Sequence, residues 1–313
     1  MTPAASGTQH TLRSGDYEGV IASVGASTRV LRYGERDLIV PFAADEVRPA
    51  FRGATLAPWP NRVVDGIYHF DGTQRQLPLT EPARGHALHG LVVWSDFTLI
   101  DKGSDHVSLS TTIQPQTAYP WRIKVTTAFT LDESGLTQSV TALNLSESTA
   151  PWGTAPHPYL VAGAGEVDDW TLELPASKVL EVTDERLLPT ELRAVEIDAT
   201  RFDFRAPRRI AQERIDHAFT DLKVTGNGIT AMRLTSADGT GVAMIWDRTC
   251  QWVQIHTADN PTDPSHHRRG LAVEPMTCAP DAFNASSYRH DVGLVRLGPG
   301  QTSTASWKIE AIN

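Results

Sequence analysis

Apolar positions recur along this chain with a period of two. Gly19-Val20-Ile21-Ala22-Ser23-Val24 and Thr28-Arg29-Val30-Leu31-Arg32-Tyr33 predict two strands around a Gly-Ala turn. The same alternation returns near the end of the chain over 302–309. Between them, 97–101, 106–113, 121–131, 136–145, 170–174, 178–182, 232–235, 242–246 and 252–256 are rich in Val, Ile, Thr, Trp and Phe. Turn residues such as Asp132-Glu133-Ser134-Gly135, Ala237-Asp238-Gly239 and Asp71-Gly72 bound them. Helical spacing is sparse: 208–215 predicts two helical turns, and Pro280-Asp281-Ala282-Phe283 predicts the start of another short helix. No βαβ series occurs, so a doubly wound or α/β-barrel fold is disfavoured. Many short strands divided by turns predict a large all-β sandwich with few short helices.

The length of 313 residues fits one large β domain spanning 1–313, with 1–14 expected as a flexible or peripheral segment. A hydrophobic share of 40% and a charged share of 21% suffice for a large core and exclude a mainly disordered chain. The formal net charge of −9, without a long basic block, argues against nucleic acid as partner. Arg208-Arg209 and His266-His267-Arg268-Arg269 are short basic clusters, expected on a solvated face. The stretch 257–269 is expected as a surface loop. No run of about 18 apolar residues predicts a transmembrane helix, and no apolar leader follows Met1, so a cytoplasmic location is expected. Cys250 and Cys278 allow one bridge at most and no Cys-based zinc site.

Common cofactor signatures are missing: there is no P-loop, G-x-G-x-x-G, H-E-x-x-H or EF-hand loop. The spacing of the 11 histidines predicts no metal site. Three segments combine ionisable residues with stiff backbone. His157 lies between Pro156 and Pro158, whose rings hold the backbone extended, as an acid–base group requires. Glu274 follows Leu271-Ala272-Val273 and precedes Pro275. A carboxylate ending an apolar strand is either ion-paired or desolvated and strongly basic. Arg62 follows Asn61 and two prolines, and suits either a ligand oxygen or an Asp or Glu partner. His89, before Gly90, and Asp216, in Ile215-Asp216-His217, pose the same choice between ligand contact and a structural role.

Taken in order, Asn61-Arg62 with the following Gly66-x-Tyr68-x-Phe70-x-Gly72, then Leu88-His89-Gly90, His157-Pro158-Tyr159, Ile215-Asp216-His217, and Glu274-Pro275 with Pro280-Asp281-Ala282-Phe283-Asn284, resemble the aldose 1-epimerase (galactose mutarotase) family. The resemblance runs over roughly residues 15 to 312. It implies a β-supersandwich and a cofactor-free interconversion of the anomers of free aldoses, with a monosaccharide as partner and a monomer or homodimer as the assembly. It also implies His157 as general acid, Glu274 as general base, and Arg62, His89, Asp216, Asn61 and Tyr159 as sugar-contacting residues. Trp59, Tyr159 and Phe283 are the expected aromatic platforms, by proximity to the motifs. Ala57-Pro58-Trp59-Pro60 and Pro275-Met276 depart from the family's usual neighbours of these motifs. Two alternatives stay open: a hexose-6-phosphate 1-epimerase using Arg208-Arg209 or Arg268-Arg269 for the phosphate, and a non-catalytic sugar-binding or sensor protein on the same scaffold.

Overall fold

The computed structural model describes residues 4–313. The largest sheet has nine strands, all antiparallel, in the order Thr98–Lys102, His106–Ile113, Ile123–Asp132, Gly135–Asn144, Thr302–Ile312, Gly241–Asp247, Ile229–Thr235, Thr171–Glu173 and Arg208–Arg209. The period-two reading located these strands because each buries alternate side chains. In Ile123–Asp132 the residues Ile123, Val125, Thr127, Phe129 and Leu131 point inward, and the positions between them do not. The final strand, Thr302–Ile312, lies between Gly135–Asn144 and Gly241–Asp247, so the chain's end joins the two halves of the sheet.

A second sheet of six strands runs Tyr159–Leu160, Leu271–Met276, Trp252–His256, Asp216–Leu222, Ala176–Val182 and Pro189–Ala194. Its second strand, Leu271–Met276, is buried at every position, because material covers both faces. A four-stranded sheet, Gln9–Ser14, Tyr17–Ala22, Ser27–Tyr33 and Arg36–Asp37, completes the larger layers. One apolar cluster extends from Leu12 and Ile21 through Phe129, Trp152 and Trp246 to Trp307 and Ile309.

The all-β sandwich expected from the sequence is observed, with three differences. Part of the peripheral segment expected over 1–14 is a strand, Gln9–Ser14, that buries Leu12 completely; residues 1–3 lie outside the described residues. The stretch 208–215 is not helical: Arg208–Arg209 pairs with Thr171–Glu173 as a sheet edge, and turns follow. Pairing with a neighbouring strand here overrides a weak local preference. The basic cluster at 266–269 is not wholly solvated either. Arg268 is buried, donates to Asp168, and lies 2.8 Å from Asp259, so it ties the 257–269 loop to the body. The short helix expected near 280 is a 3₁₀ helix, Ala282–Ser287. Cys250 and Cys278 are buried free thiols. Among the described residues, no helix is long and apolar enough to cross a membrane.

Candidate active site

The six-stranded sheet assembles most of a polar hollow by register alone. Asp216 stands opposite His256, Gln254 opposite Glu274, and Ala272 opposite both His256 and Tyr159. Directly opposed residues share a face, and so do residues two apart on one strand. Asp216, Gln254, His256, Glu274 and Tyr159 therefore rise from one face of four adjacent strands. A diagonal hydrogen bond, Gln254 Nε2 to Asp216 Oδ1 at 2.6 Å, confirms the alignment.

His157 enters from the crossing between two sheets. Ala155–Pro156 pairs with Thr55–Leu56, whereas Tyr159–Leu160 pairs with Leu271–Met276. The His157 carbonyl accepts from the Gly53 N–H at 2.7 Å. Gly53 has φ +68°, and a Cβ there would stand 2.1 Å from the Thr28 carbonyl oxygen, so only glycine permits this close approach. The opposite wall comes from the pair Arg62–Val63 and Ala87–Leu88, with Asn61 and His89 just outside it, both at positive φ. The His89 N–H donates to the Asn61 carbonyl at 2.8 Å, and the Asn61 side-chain oxygen accepts from the Arg62 N–H at 2.9 Å.

These walls enclose about 280 Å³, at the small end for small-molecule pockets. The seven site residues read from the sequence all line it: Asn61, Arg62, His89, His157, Tyr159, Asp216 and Glu274. His157 Nε2 lies 3.5 Å from Glu274 Oε1. The His89 and His157 rings meet edge to face with centroids 4.9 Å apart, and Tyr159 lies 5.2 Å from His157. Arg62 forks onto Glu81 at 2.8 and 3.0 Å and stands 4.0 Å from Asp216. The ion-pair reading of Arg62 therefore holds, and the same side chain also lines the hollow. Buried polar atoms without a partner, among the described residues, concentrate here: His89 Nδ1, His157 Nδ1, Gln254 Oε1, His256 Nδ1 and Glu274 Oε2. Burying such atoms unpaired is costly, so the hollow is built to hydrogen-bond a polar guest.

Two of the expected platforms are misplaced. Trp59 and Phe283 pack on each other in the core at 5.5 Å and do not line the hollow. Phe51 takes that place, 4.8 Å from His89 and 6.2 Å from His157. Ala50 and Phe51 both hold positive φ, 45° and 56°, a strained pair of non-glycine residues that no sequence rule anticipates. Gln254, His256 and Asp259 also escaped the sequence reading. A signal existed for the first two: polar residues two apart in Trp252-Val253-Gln254-Ile255-His256 share one face of an otherwise apolar strand.

Burial dominates the ionisation of the central pair. It holds Glu274 well above the usual carboxylate range, helped by the charge of Asp216 and opposed by Arg62. It holds His157 below the usual imidazole range, helped by His256 and Arg48 and opposed by Asp216. His89 is depressed by burial and then by His157 and Arg62. In the free site, desolvation thus favours the neutral forms of both His157 and Glu274, which stand 3.5 Å apart. Burial also pushes Asp216 upward, but His256, Arg62 and the Gln254 amide more than offset this and keep it below its ordinary value.

His89, His157 and Glu274 offer ligand atoms within 4.8 Å of one another. Ligands about 2 Å from a tetrahedral zinc ion stand roughly 3.3 Å apart, so the three would have to close together to hold one. The cations proposed for a phosphate are already engaged: Arg268 by Asp168 and Asp259, Arg269 by Glu166 at 3.0 Å, and Arg209 by Asp169 at 2.5 Å. The Arg208 guanidinium carbon lies over the Phe204 ring, 3.8 Å from its centroid.

Next to the site, His217 packs 4.8 Å from Phe202 and is depressed to about 4 by burial and Arg201, against Asp216 and Asp184. A folded-state pKa below the unfolded 6.5 stabilises the fold above pH 6.5, and that stability is lost as pH falls toward 4. His217→Gln is expected to flatten the fall of Tm across that window, measured by thermal unfolding at stepped pH. Parallel curves for the two proteins would refute it.

The sequence profile of aldose 1-epimerases matches residues 8–310, and the chain belongs to that family. It is 33% identical over 282 residues to the Escherichia coli protein YihR, which is uncharacterised, covering 90% of this chain and 87% of that one. A GalM/aldose epimerase homologue from C. elegans superposes with a TM-score of 0.82 at 19% identity, covering 98% of this chain and 99% of its own. Galactose 1-epimerase from Lactobacillus acidophilus gives 0.77 at 19%, covering 97% and 94%.

Proposed function

We propose that this protein interconverts the α and β anomers of free aldoses, with Glu274 as general base and His157 as general acid. The observation that carries the reading is the meeting of these two buried side chains at 3.5 Å, beside Arg62, His89 and Asp216. Ring opening removes the proton from the anomeric hydroxyl and gives one to the ring oxygen as the bond from that oxygen to the anomeric carbon breaks. Glu274 takes the first proton and His157 supplies the second, which avoids both a free alkoxide and a free oxonium. The aldehyde turns about its bond to the neighbouring carbon, and closure on the other face reverses both transfers. Electrons and protons balance with no external reagent.

The environment suits these roles. A carboxylate whose pKa is raised is a stronger base, and an imidazolium whose pKa is lowered is a stronger acid. The neutral pair favoured in the free site and the carboxylate–imidazolium pair that starts the reaction hold the same number of protons. Proton exchange with solvent is therefore not needed between turnovers. Arg62 and His89 contact the sugar oxygens where negative charge develops, Asp216 accepts from sugar hydroxyls, and Asn61 and Tyr159 complete the walls. The engagement of the basic clusters weighs against a phosphorylated substrate, and the paired acid and base weigh against a non-catalytic binder.

Polarimetry of freshly dissolved α-glucose, α-galactose, xylose and arabinose, with glucose 6-phosphate alongside, tests the reading. Acceleration of at least one free aldose is expected, with a bell-shaped pH profile of kcat/KM. Acid adds a proton to the pair and removes the base; alkali takes one away and removes the acid. Sugar binding without acceleration would sink the enzymatic reading, and acceleration of the phosphate alone would shift it to the phosphorylated class.

A further inference from the structure

A second hollow of about 460 Å³ adjoins the first, and the two share Ala50, Tyr159, His256 and Asp259. The second is lined on its far side by Arg52, Asn260, Asp263, His266 and Arg269. Its wall carries both signs of charge: Arg52 and Arg269 stand with Asp259 and Asp263, and Asn260 adds a neutral amide.

Arg52 is the unusual member. Only 8% of its surface is exposed, and its Nε has no partner. Its side chain's one hydrogen bond among the described residues runs from Nη1 to the Pro41 carbonyl at 3.3 Å. Among the described residues no carboxylate lies within ion-pair distance of it, although Glu46 acts on it from further away. Across the rim, its guanidinium carbon stands 6.0 Å from the centre of the Tyr159 ring, which in turn packs beside His157. His256 Nδ1, on the same rim, is also buried and unpartnered. Arg52 thus brings a buried guanidinium with an unpartnered Nε to a hollow that the anomer-exchange chemistry does not use, and His256 stands on the rim between the two hollows.

We propose that the second hollow holds another sugar ring, so that the preferred substrate is a reducing disaccharide or the reducing end of a longer glycan. The proposal rests on the mutarotase reading. The anomeric carbon must lie between Glu274 and His157 with its hydroxyl free, so the second ring is joined through a non-anomeric oxygen of the first. The first ring fills the hollow of about 280 Å³, and the second crosses the Tyr159–His256 rim. Arg52 and Asn260 then donate to its hydroxyls, and Asp259 and Asp263 accept. A compact anion fits less well. It would gain Arg52 but face Asp259 and Asp263 on the same wall, while Arg269 is held by Glu166.

The test compares kcat/KM by polarimetry for glucose with that for sophorose, laminaribiose, cellobiose, gentiobiose, maltose and lactose. Glucose 6-phosphate is a further arm. At least one disaccharide is expected to exceed glucose about tenfold, the scale of one added hydrogen bond to a charged group. Arg52→Met keeps the aliphatic stem and removes the guanidinium; Asn260→Ala, at a less buried position, guards against misfolding of the first variant. Each is expected to remove most of the disaccharide advantage and leave the glucose rate within about twofold. Disaccharides no better than glucose, or an advantage that survives both variants, would overturn the second-ring proposal while leaving the mutarotase reading intact. Glucose 6-phosphate outrunning every disaccharide, with sensitivity to Arg52→Met, would replace the glycosyl occupant by an anion. If neither glucose nor any disaccharide is accelerated, both readings fall together.

Discussion

Glu274→Gln lowers kcat for anomer exchange by at least about a hundredfold, within the 10²- to 10⁴-fold range typical of one acid–base group. The substitution keeps the shape of a side chain that is 2% exposed and replaces a basic carboxylate by an amide that cannot hold the proton. In the proposed mechanism Arg62, His89 and Asp216 hold the sugar in the ground state, so KM is expected to change little. His157→Asn is expected to act similarly, since the ring oxygen then leaves as an uncompensated alkoxide. The two groups serve one concerted event, so the double variant loses little more than either single one. Single-turnover or steady-state polarimetry decides the matter. Unchanged equilibration rates in Glu274→Gln would refute the assignment of the base.

Arg62→Ala carries the second large effect, and it acts on folding as well as on catalysis. The guanidinium is nine-tenths buried and binds Glu81 through two nitrogens, while Asp216 stands 4.0 Å away. Burial alone would weaken its hold on the proton, but the Glu81 bonds and the nearby Asp216 carboxylate outweigh this and raise its pKa. Removing it leaves two carboxylates short of a cation, with only Arg84 still on Glu81 at 2.8 Å. Breaking a mostly buried pair costs about 3–5 kcal/mol, which here corresponds to a Tm lower by the order of 10 °C. kcat is expected to fall and KM to rise together, because the proposed role has the arginine on a sugar oxygen in both ground and transition states. Arg62→Lys restores charge without the fork, so it should recover stability more than KM. Wild-type KM and Tm in Arg62→Ala would contradict the structural role and the sugar-contacting role together.

Much of the sandwich was legible before any coordinates, because strands with one wet face must alternate and this chain's long strands do so. Errors arose where local preference competed with distant pairing. Residues 208–215 have helix-compatible composition, yet Arg208–Arg209 finds an open edge at Thr171–Glu173. Arg268 sits in a run that reads as solvated charge, yet Asp168, a hundred positions earlier, draws it inside. Trp59 and Phe283 were expected at the sugar because they border the motifs, but the core claims both. Phe51 reaches the hollow only through two successive left-handed residues. Neither outcome has a local signature.

By itself the chain determined a β-sandwich and singled out the ionisable residues that the structure gathers in one hollow, since periodicity and proline-framed ionisable groups are properties of neighbouring positions. The tertiary structure alone decided which of those residues meet and in what protonation state. Strand register placed Asp216, His256, Gln254 and Glu274 on one face, and burial then set Glu274 upward and His157 downward, against the attraction of their charges. Desolvation depends on what the whole fold packs around a group, and no stretch of sequence carries that information.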